Sequence, residues 1–306
     1  MANEVFYSGL GDLRLSLVLT REIALLLKDR ASLMGHPSIA YYGDLTGAGS
    51  TVIDVGQAGL DGYDLMTSVA EGSSTSNTAL TDASPGITIA RQALQRQISD
   101  LANLTDSIGL NTQRLAADMA GAASMRFTEM VANVADDFTA TAGATTVNLS
   151  VDDWFDAQFT LTQASVPGNY LSLLYPVQVT DLQNALRSET GPLQYISATQ
   201  EMLGIKGPGY SGSLNGVDIF ASTHVPTANA GADSAGAMWG IGAIGYADGS
   251  VANVLGAGGV SYPAGTKVMV EFERDAAGAL TKIVGNYYCG VALIEDGRGV
   301  SIITDR

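Results

Sequence analysis

Residues 238–249 read MWGIGAIGYADG, which places Gly240, Gly242 and Gly245 in the Gly-x-Gly-x-x-Gly spacing of a dinucleotide-binding turn. Such a turn needs a strand before it and a helix opening at its third glycine. It also needs an acidic residue about 20 positions later to hold the ribose. Here the preceding stretch, PTANAGADSAGAM (226–238), is a small-residue loop, and the following one, YADGSVANVLGAGG (246–259), holds too many glycines for a stable helix. Ala264 and Gly265 stand where the ribose carboxylate belongs. No cofactor is expected. The stretch reads instead as a strand, Met238 to Tyr246, whose small residues let another backbone come close.

The composition points to a globular chain with an unusually uncharged surface. Of 306 residues, 46% are hydrophobic and only 15% are charged, against roughly 25% charged in ordinary soluble domains. Either copies of the chain cover much of the surface, or the exterior is neutral Ser, Thr and Gly. The formal net charge is −16, which opposes a counterion-displacing grip on nucleic acid. Between Glu129 and Glu273 the cations are Arg187, Lys206 and Lys267 alone. The single cysteine, Cys289, excludes an intrachain disulfide. The apolar tract LRLSLVLTREIALLLKDR (13–30) is interrupted by Arg21 and Glu22, so neither a signal peptide nor a membrane span is expected.

Catalytic and metal readings fail on the same residues. His36 and His224 are the two histidines, and neither has a Cys or second His at ligand spacing. Ser222 and Asp218 neighbour His224 along the chain, but strand neighbours rarely form a triad. No phosphate-binding loop is present, and DGYD (61–64) reads as a solvated turn.

Periodicity supplies the elements. Residues 1–50 read as an arm holding one helix, capped by Asp12 and carrying Leu15, Leu19 and Ile23 on one face. That face packs either in the chain's own core or on a neighbouring subunit. Residues 51–98 read as a long hairpin between TVIDVGQ (51–57) and GITIARQAL (86–94). An isolated hairpin is marginal in water, so this one is expected to lie on a partner. Contacts between subunits are therefore assigned to Leu15, Leu19, Ile23, Ile53, Val55, Tyr63, Leu65, Met66, Ile87 and Ile89. From Asn111 to Phe138 a helix of about 40 Å is predicted. Leu115, Met119, Phe127, Met130, Val134 and Phe138 form its core face.

A second helix starts at Ser150, with Asp152 and Asp153 in its first turn. NYLSLLYP (169–176) reads as a buried strand, and a helix follows from Val177 to Arg187. LNGVDIFAST (214–223) and GAMWGIGAIGY (236–246) read as two further strands. The segments 266–275, 279–296 and 299–305 read as an antiparallel meander on the long helix, with Val268, Val270, Phe272, Ile283 and Val291 inside.

This order resembles the tailed-bacteriophage major capsid proteins of the Hong Kong 97 type. NYLSLLYPVQVTDLQNAL (169–186), GSLNGVDIFASTHVP (212–226), GAMWGIGAIGYADG (236–249) and NYYCGVALIEDGRGVSII (286–303) are each similar to a stretch of that family, and the ordered set carries the likeness. The resemblance implies an α+β capsid fold. Residues 1–50 would be the N-terminal arm, 51–98 the E-loop, and 99–165 a peripheral domain around the long spine helix. Residues 166–265 would be the axial domain. Residues 266–306 would be closing strands of the peripheral domain, or would return to the axial one.

It also implies a coat protein, not an enzyme. Pentamers and hexamers would form an icosahedral virion head around double-stranded DNA, assembled in the host cytoplasm. Scaffolding, portal and cement proteins would be its partners. Residues 51–98 hold no lysine, so the isopeptide lock of some relatives is closed to this chain. No long scaffolding extension is read at the N-terminus, so either a separate scaffold or an N-terminal segment already removed is expected, the initial Met arguing against removal. Two alternatives remain: an encapsulin-like nanocompartment shell, and, in a different class, a secreted surface or adhesin protein.

Overall fold

A computed structural model describes residues 21–23, 32–45, 49–58, 68–74, 82–101, 112–188, 195–249 and 267–306. The strands, in chain order, begin with β1 (Ile39–Asp44), β2 (Val52–Asp54), β3 (Gln57–Ala58), β4 (Asp82–Ala83), β5 (Gly86–Thr88) and β6 (Ala90–Ser99). After the spine helix α1 (Thr112–Asp136) come β7 (Thr141–Ala142), α2 (Val151–Gln163), β8 (Leu171–Leu174), α3 (Pro176–Ser188), β9 (Tyr195–Ser197) and α4 (Gln200–Lys206). The rest is β10 (Tyr210–Leu214), β11 (Val217–Ala221), β12 (Thr227–Ala228), β13 (Asp233–Trp239), β14 (Ile244–Asp248), β15 (Val268–Asp275), β16 (Leu280–Leu293) and β17 (Gly299–Asp305).

Two sheets organise these elements. The larger runs β7-β17-β13-β8-β11-β10-β9, with β12 beside β13. In the smaller, β16 is the backbone: β15 and then β14 line one edge, β6 lines the other, and β1 lies beyond β14. Cys289 pairs with both Asp248 and Ala90, which fixes that arrangement.

The glycine stretch is where the chain passes from one sheet to the other. The single strand expected from Met238 to Tyr246 is two strands, β13 and β14, in different sheets. Each glycine has a physical reason. A Cβ on Gly240 would lie 2.3 Å from Val166 Cγ1, and one on Gly245 would lie 2.5 Å from Tyr42 Cε2. Gly242 has φ +86°, in the left-handed region where side chains are strained. Arg298 holds the turn, donating from Nη1 to the Ile241 carbonyl at 3.1 Å.

The expected meander is also corrected. β15 and β16 form its antiparallel pair, but β17 leaves them and pairs with β13 along seven residues, Asp233↔Asp305 to Trp239↔Gly299. β14, inside the 166–265 segment, conversely joins the small sheet. The 265/266 boundary therefore does not separate the two sheets.

The spine bridges both sheets. Its first half sets Ala116, Met119, Ala120 and Ala123 against Val268, Val270, Ile283 and Tyr287 of the small sheet. Its second half sets Phe127, Val131 and Ala135 against Leu171, Leu173, Phe220 and Trp239 of the large one. The true buried stripe is rotated from the expected face. Met119, Phe127 and Phe138 are buried, whereas Leu115, Met130 and Val134 are half-buried at its margins. Phe138 lies just past the helix end and fills the space left by Gly299, where a Cβ would come within 2.0 Å of its ring.

Helices α2 and α3 cover the opposite face of the large sheet. Trp154, Leu161, Val179 and Leu182 pack there on Leu174, Ile219, Met238 and Ile302. Ala237 and Trp239 face the spine while Met238 between them faces α2 and α3, so all seven residues of β13 are buried. Ser150 caps α2 as its sequence predicts: Asp153 N donates to Ser150 Oγ at 3.1 Å, and Ser150 N donates back to Asp153 Oδ2 at 3.2 Å.

Candidate assembly surfaces

The hairpin is rooted in the small sheet. Val52, Ile53 and Asp54 pair with Thr88, Ile87 and Gly86, and Gln57–Ala58 pair with Asp82–Ala83. Below this root Val55, Ile87 and Ile89 form a core cluster with Ala247 and Ile294, and Ile53 packs at its margin. Gly290 of β16 lets the root pass close by, since a Cβ there would sit 2.2 Å from the Thr88 carbonyl oxygen.

This corrects part of the assigned contact set. Ile87 is 0% exposed and Val55 5%, so neither has surface to offer a neighbour. Their hydrophobicity anchors the hairpin to its own chain. Ile23, also fully buried, packs with Ala116, Met119 and Val268. Leu15, Leu19, Tyr63, Leu65 and Met66 lie outside the described residues.

Polar ties that the sequence did not announce hold the segments in place. His36 Nδ1 accepts from the Ser38 backbone N–H at 3.2 Å, and His36 Nε2 lies 3.2 Å from Asp218 Oδ2. Lys206, the last residue of α4, binds the same carboxylate oxygen. Burial alone would raise the Asp218 carboxyl. The bonds from His36 and Lys206, with the lysine's charge, outweigh it and hold the group below its ordinary value. Asp218 is thus occupied by His36, while Ser222 Oγ accepts the backbone N–H of His224. The three residues do not form a catalytic relay.

A second tie sits where β14 ends and β15 begins. Lys267 Nζ lies 2.6 Å from Asp248 Oδ2, 5.5 Å from the Tyr41 ring centre and 5.2 Å from that of Tyr246. Tyr287 donates to Asp248 Oδ1 at 3.3 Å. Here burial wins, and the Asp248 carboxyl is raised despite Lys267 and Tyr287. Burial also pushes the neighbouring Cys289 thiol up to about 12, so it is an inert core group. Lys206 and Lys267, two of the three Lys and Arg residues between Glu129 and Glu273, are each paired with a carboxylate on another element of the fold, which spacing along the chain does not reveal.

On the surface, Arg96, Arg274, Lys282 and Arg298 also lie beside carboxylates. Among the described residues no group of three His, Cys, Asp or Glu is placed to hold a metal ion. No described helix is long and apolar enough to cross a membrane. A half-open cleft of about 460 Å³ lies between the spine and the large sheet, lined by Leu33, Met125, Thr128, Phe220 and His224. Bare apolar side chains include Phe159 on α2 and Ile205 on α4, 64% and 77% exposed.

The two-sheet arrangement around one spine matches known structures over most of its length. The capsid of Ralstonia phage GP4 superposes with a TM-score of 0.58 at 12% identity, covering 88% of this chain and 87% of that one. The capsid of Cyanophage P-SCSP1u gives 0.56 at 13% identity, over 89% and 86%. The chain has the Hong Kong 97-type capsid fold. The same capsid fold appears in the SrpI encapsulin of Synechococcus elongatus PCC 7942, with a TM-score of 0.57 at 12% identity over 87% and 85% of the two chains. No family model and no curated protein matches the sequence.

Proposed function

We propose that this chain is a major capsid protein, a structural subunit that assembles with copies of itself into the head of a tailed phage. The supporting observation is the match to phage capsid structures over 88% of this chain in one case and 89% in another. Pentamers and hexamers of the chain build an icosahedral shell around double-stranded DNA. The hairpin at 51–98 lies across an adjacent subunit, and the loops of the large-sheet region gather near the symmetry axes. Scaffolding, portal and cement proteins complete the particle inside the host cytoplasm.

Assembly of this kind needs contacts that are individually weak. Buried apolar area contributes about 25 cal/mol per Å² before the costs of association. Several such contacts on each copy compound through effective concentration, and closed symmetry keeps the product finite. The acidic charge suits a container that does not grip its contents.

The match to an encapsulin favours one second reading, a nanocompartment shell. Negative-stain microscopy of the purified protein, with analysis of the contents, tests both. Closed shells that package DNA during infection support the capsid reading. Shells holding a cargo enzyme support the second. A monomer at high concentration overturns both.

A further inference from the structure

A second cavity, of about 280 Å³, opens between the first half of the spine, β6 and the β15–β16 pair. Its inner wall is apolar: Met119, Ala123, Val268 and Tyr287 line it, and all four are buried. The Tyr287 hydroxyl is already bonded to Asp248. The space exists because small residues border it. Ala122 and Gly285 also line it, and a Cβ on Gly285 would stand 3.2 Å from Met119 Sδ.

Two polar side chains complete the lining, Gln92 of β6 and Arg126 of the spine. Both are half-buried, the Arg126 side chain being 42% exposed, so they stand at the open end. Arg126 Nε donates to Gln92 Oε1 at 3.0 Å, and Arg126 Nη1 donates to Glu129 Oε2 at 2.8 Å. A guanidinium only donates, so the first bond fixes which end of the Gln92 amide is the oxygen and leaves its Nε2 free. Neither Arg126 Nη2 nor Gln92 Nε2 has a partner among the described residues. Glu129 already balances the guanidinium charge. The opening therefore presents two N–H donors, steadied by each other, above an apolar hollow.

We propose that this cavity binds a medium-chain acyl group in amide or ester linkage, with its alkyl chain on the apolar wall and its carbonyl oxygen on Arg126 Nη2 and Gln92 Nε2. An apolar hollow with a few fixed polar groups is the general form of a small-ligand site. At roughly 30 Å³ per non-hydrogen atom, the share of one water molecule, it holds about nine such atoms. A carboxylate head would set a second negative charge beside Glu129, and an ammonium head would meet donors where it needs acceptors. The site is independent of the shell reading, so either can fail without the other.

Ligand-observed NMR titration of the full-length protein with heptanamide, heptanoate and heptylamine tests it. Heptanamide should bind with a dissociation constant of about 1 mM or below, about tenfold tighter or more than either charged analogue. Ala122→Leu puts a good helix former at a half-buried position and fills the hollow. Its melting should match the parent's, and heptanamide binding should weaken by about tenfold or more. Gln92→Leu removes one donor and should weaken heptanamide by about fivefold. No heptanamide binding at about ten times the expected constant overturns the proposal, as does equal or tighter binding of a charged analogue. Parental affinity in Ala122→Leu overturns the location, and parental affinity in Gln92→Leu overturns the carbonyl contact.

Discussion

Gln178 Nε2 lies 2.8 Å from Thr304 Oγ1, a buried bond that ties the first turn of α3 to the end of β17. The same nitrogen donates to the carbonyls of Ser234 and Ile302, each at 3.1 Å, and Gln178 Oε1 accepts from Tyr175 N at 2.9 Å. One fully buried amide therefore pins α3 across β13 and β17. Gly236 makes room for it, since a Cβ there would sit 2.7 Å from Gln178 Oε1.

Gln178→Leu keeps the volume and leaves those backbone groups unpaired. Each buried group left without a partner costs about 1–3 kcal/mol, so a loss of roughly 2–4 kcal/mol is expected, read as a lower denaturant midpoint. Gly236→Ala should lower it as well, by pushing the amide out of position. An unchanged midpoint in both variants would show that this anchor contributes nothing.

The elements most legible in the sequence are those set by local rules. The capped start of α2, the proline-led α3 and the spine's 3.6-residue period depend on neighbours along the chain, and each was placed within a few residues. Non-local pairing was not legible. Nothing near Trp239 reveals that the next strand belongs to another sheet, because Gly240, Gly242 and Gly245 are small for the sake of Val166, a turn and Tyr42, remote in sequence or in conformation. The contact set failed in part for the same reason. Ile87 and Val55 have the alternating pattern of a docking strand, and hydrophobicity alone cannot tell a neighbour's surface from the chain's own core. His36 and Gln178 were passed over because their partners lie far along the chain.

The rotated stripe of the spine gives a second prediction. Val131 is fully buried, and Val134 is half-buried at the margin of the same cluster. Val131→Asp places a carboxylate where it has neither water nor partner, and the subunit should unfold. Val134→Asp can turn its carboxylate toward solvent and should lower the melting temperature by a few degrees only. Equal effects in thermal denaturation would mean that the buried face is wrongly placed.

The two polar ties respond to pH in opposite directions. The Asp218 carboxyl is held below its ordinary 3.8, so its contribution is present above that value and is lost as pH falls through the folded-state value. Asp218→Asn should therefore destabilise the protein near neutral pH and match the parent in acid. The Asp248 carboxyl is raised above 3.8, so the folded state holds that proton more tightly, and its stabilising effect is lost as pH rises through the raised value. Lys267→Met removes the counter-charge, and its deficit should grow as pH climbs past the carboxylate range. Melting curves of both variants across the acid range check the signs; parallel shifts at every pH would contradict both.

Replacing residues 60–81 by two glycines separates folding from assembly. The pairs Ile53↔Ile87 and Ala58↔Asp82 remain to close the hairpin base, and the cluster of Val55, Ile87 and Ile89 stays intact. The remaining turn is short enough for an ordinary hairpin loop. The subunit should thus melt as the parent does, because nothing removed belongs to the described core. Assembly should fail, because the part proposed to reach the next copy is gone and the other contacts are too weak alone to offset the entropy of association. Sedimentation velocity reads the outcome directly. A slow single species with parental melting supports the role assigned to the hairpin, whereas normal particles from the shortened chain would show that the shell holds without it.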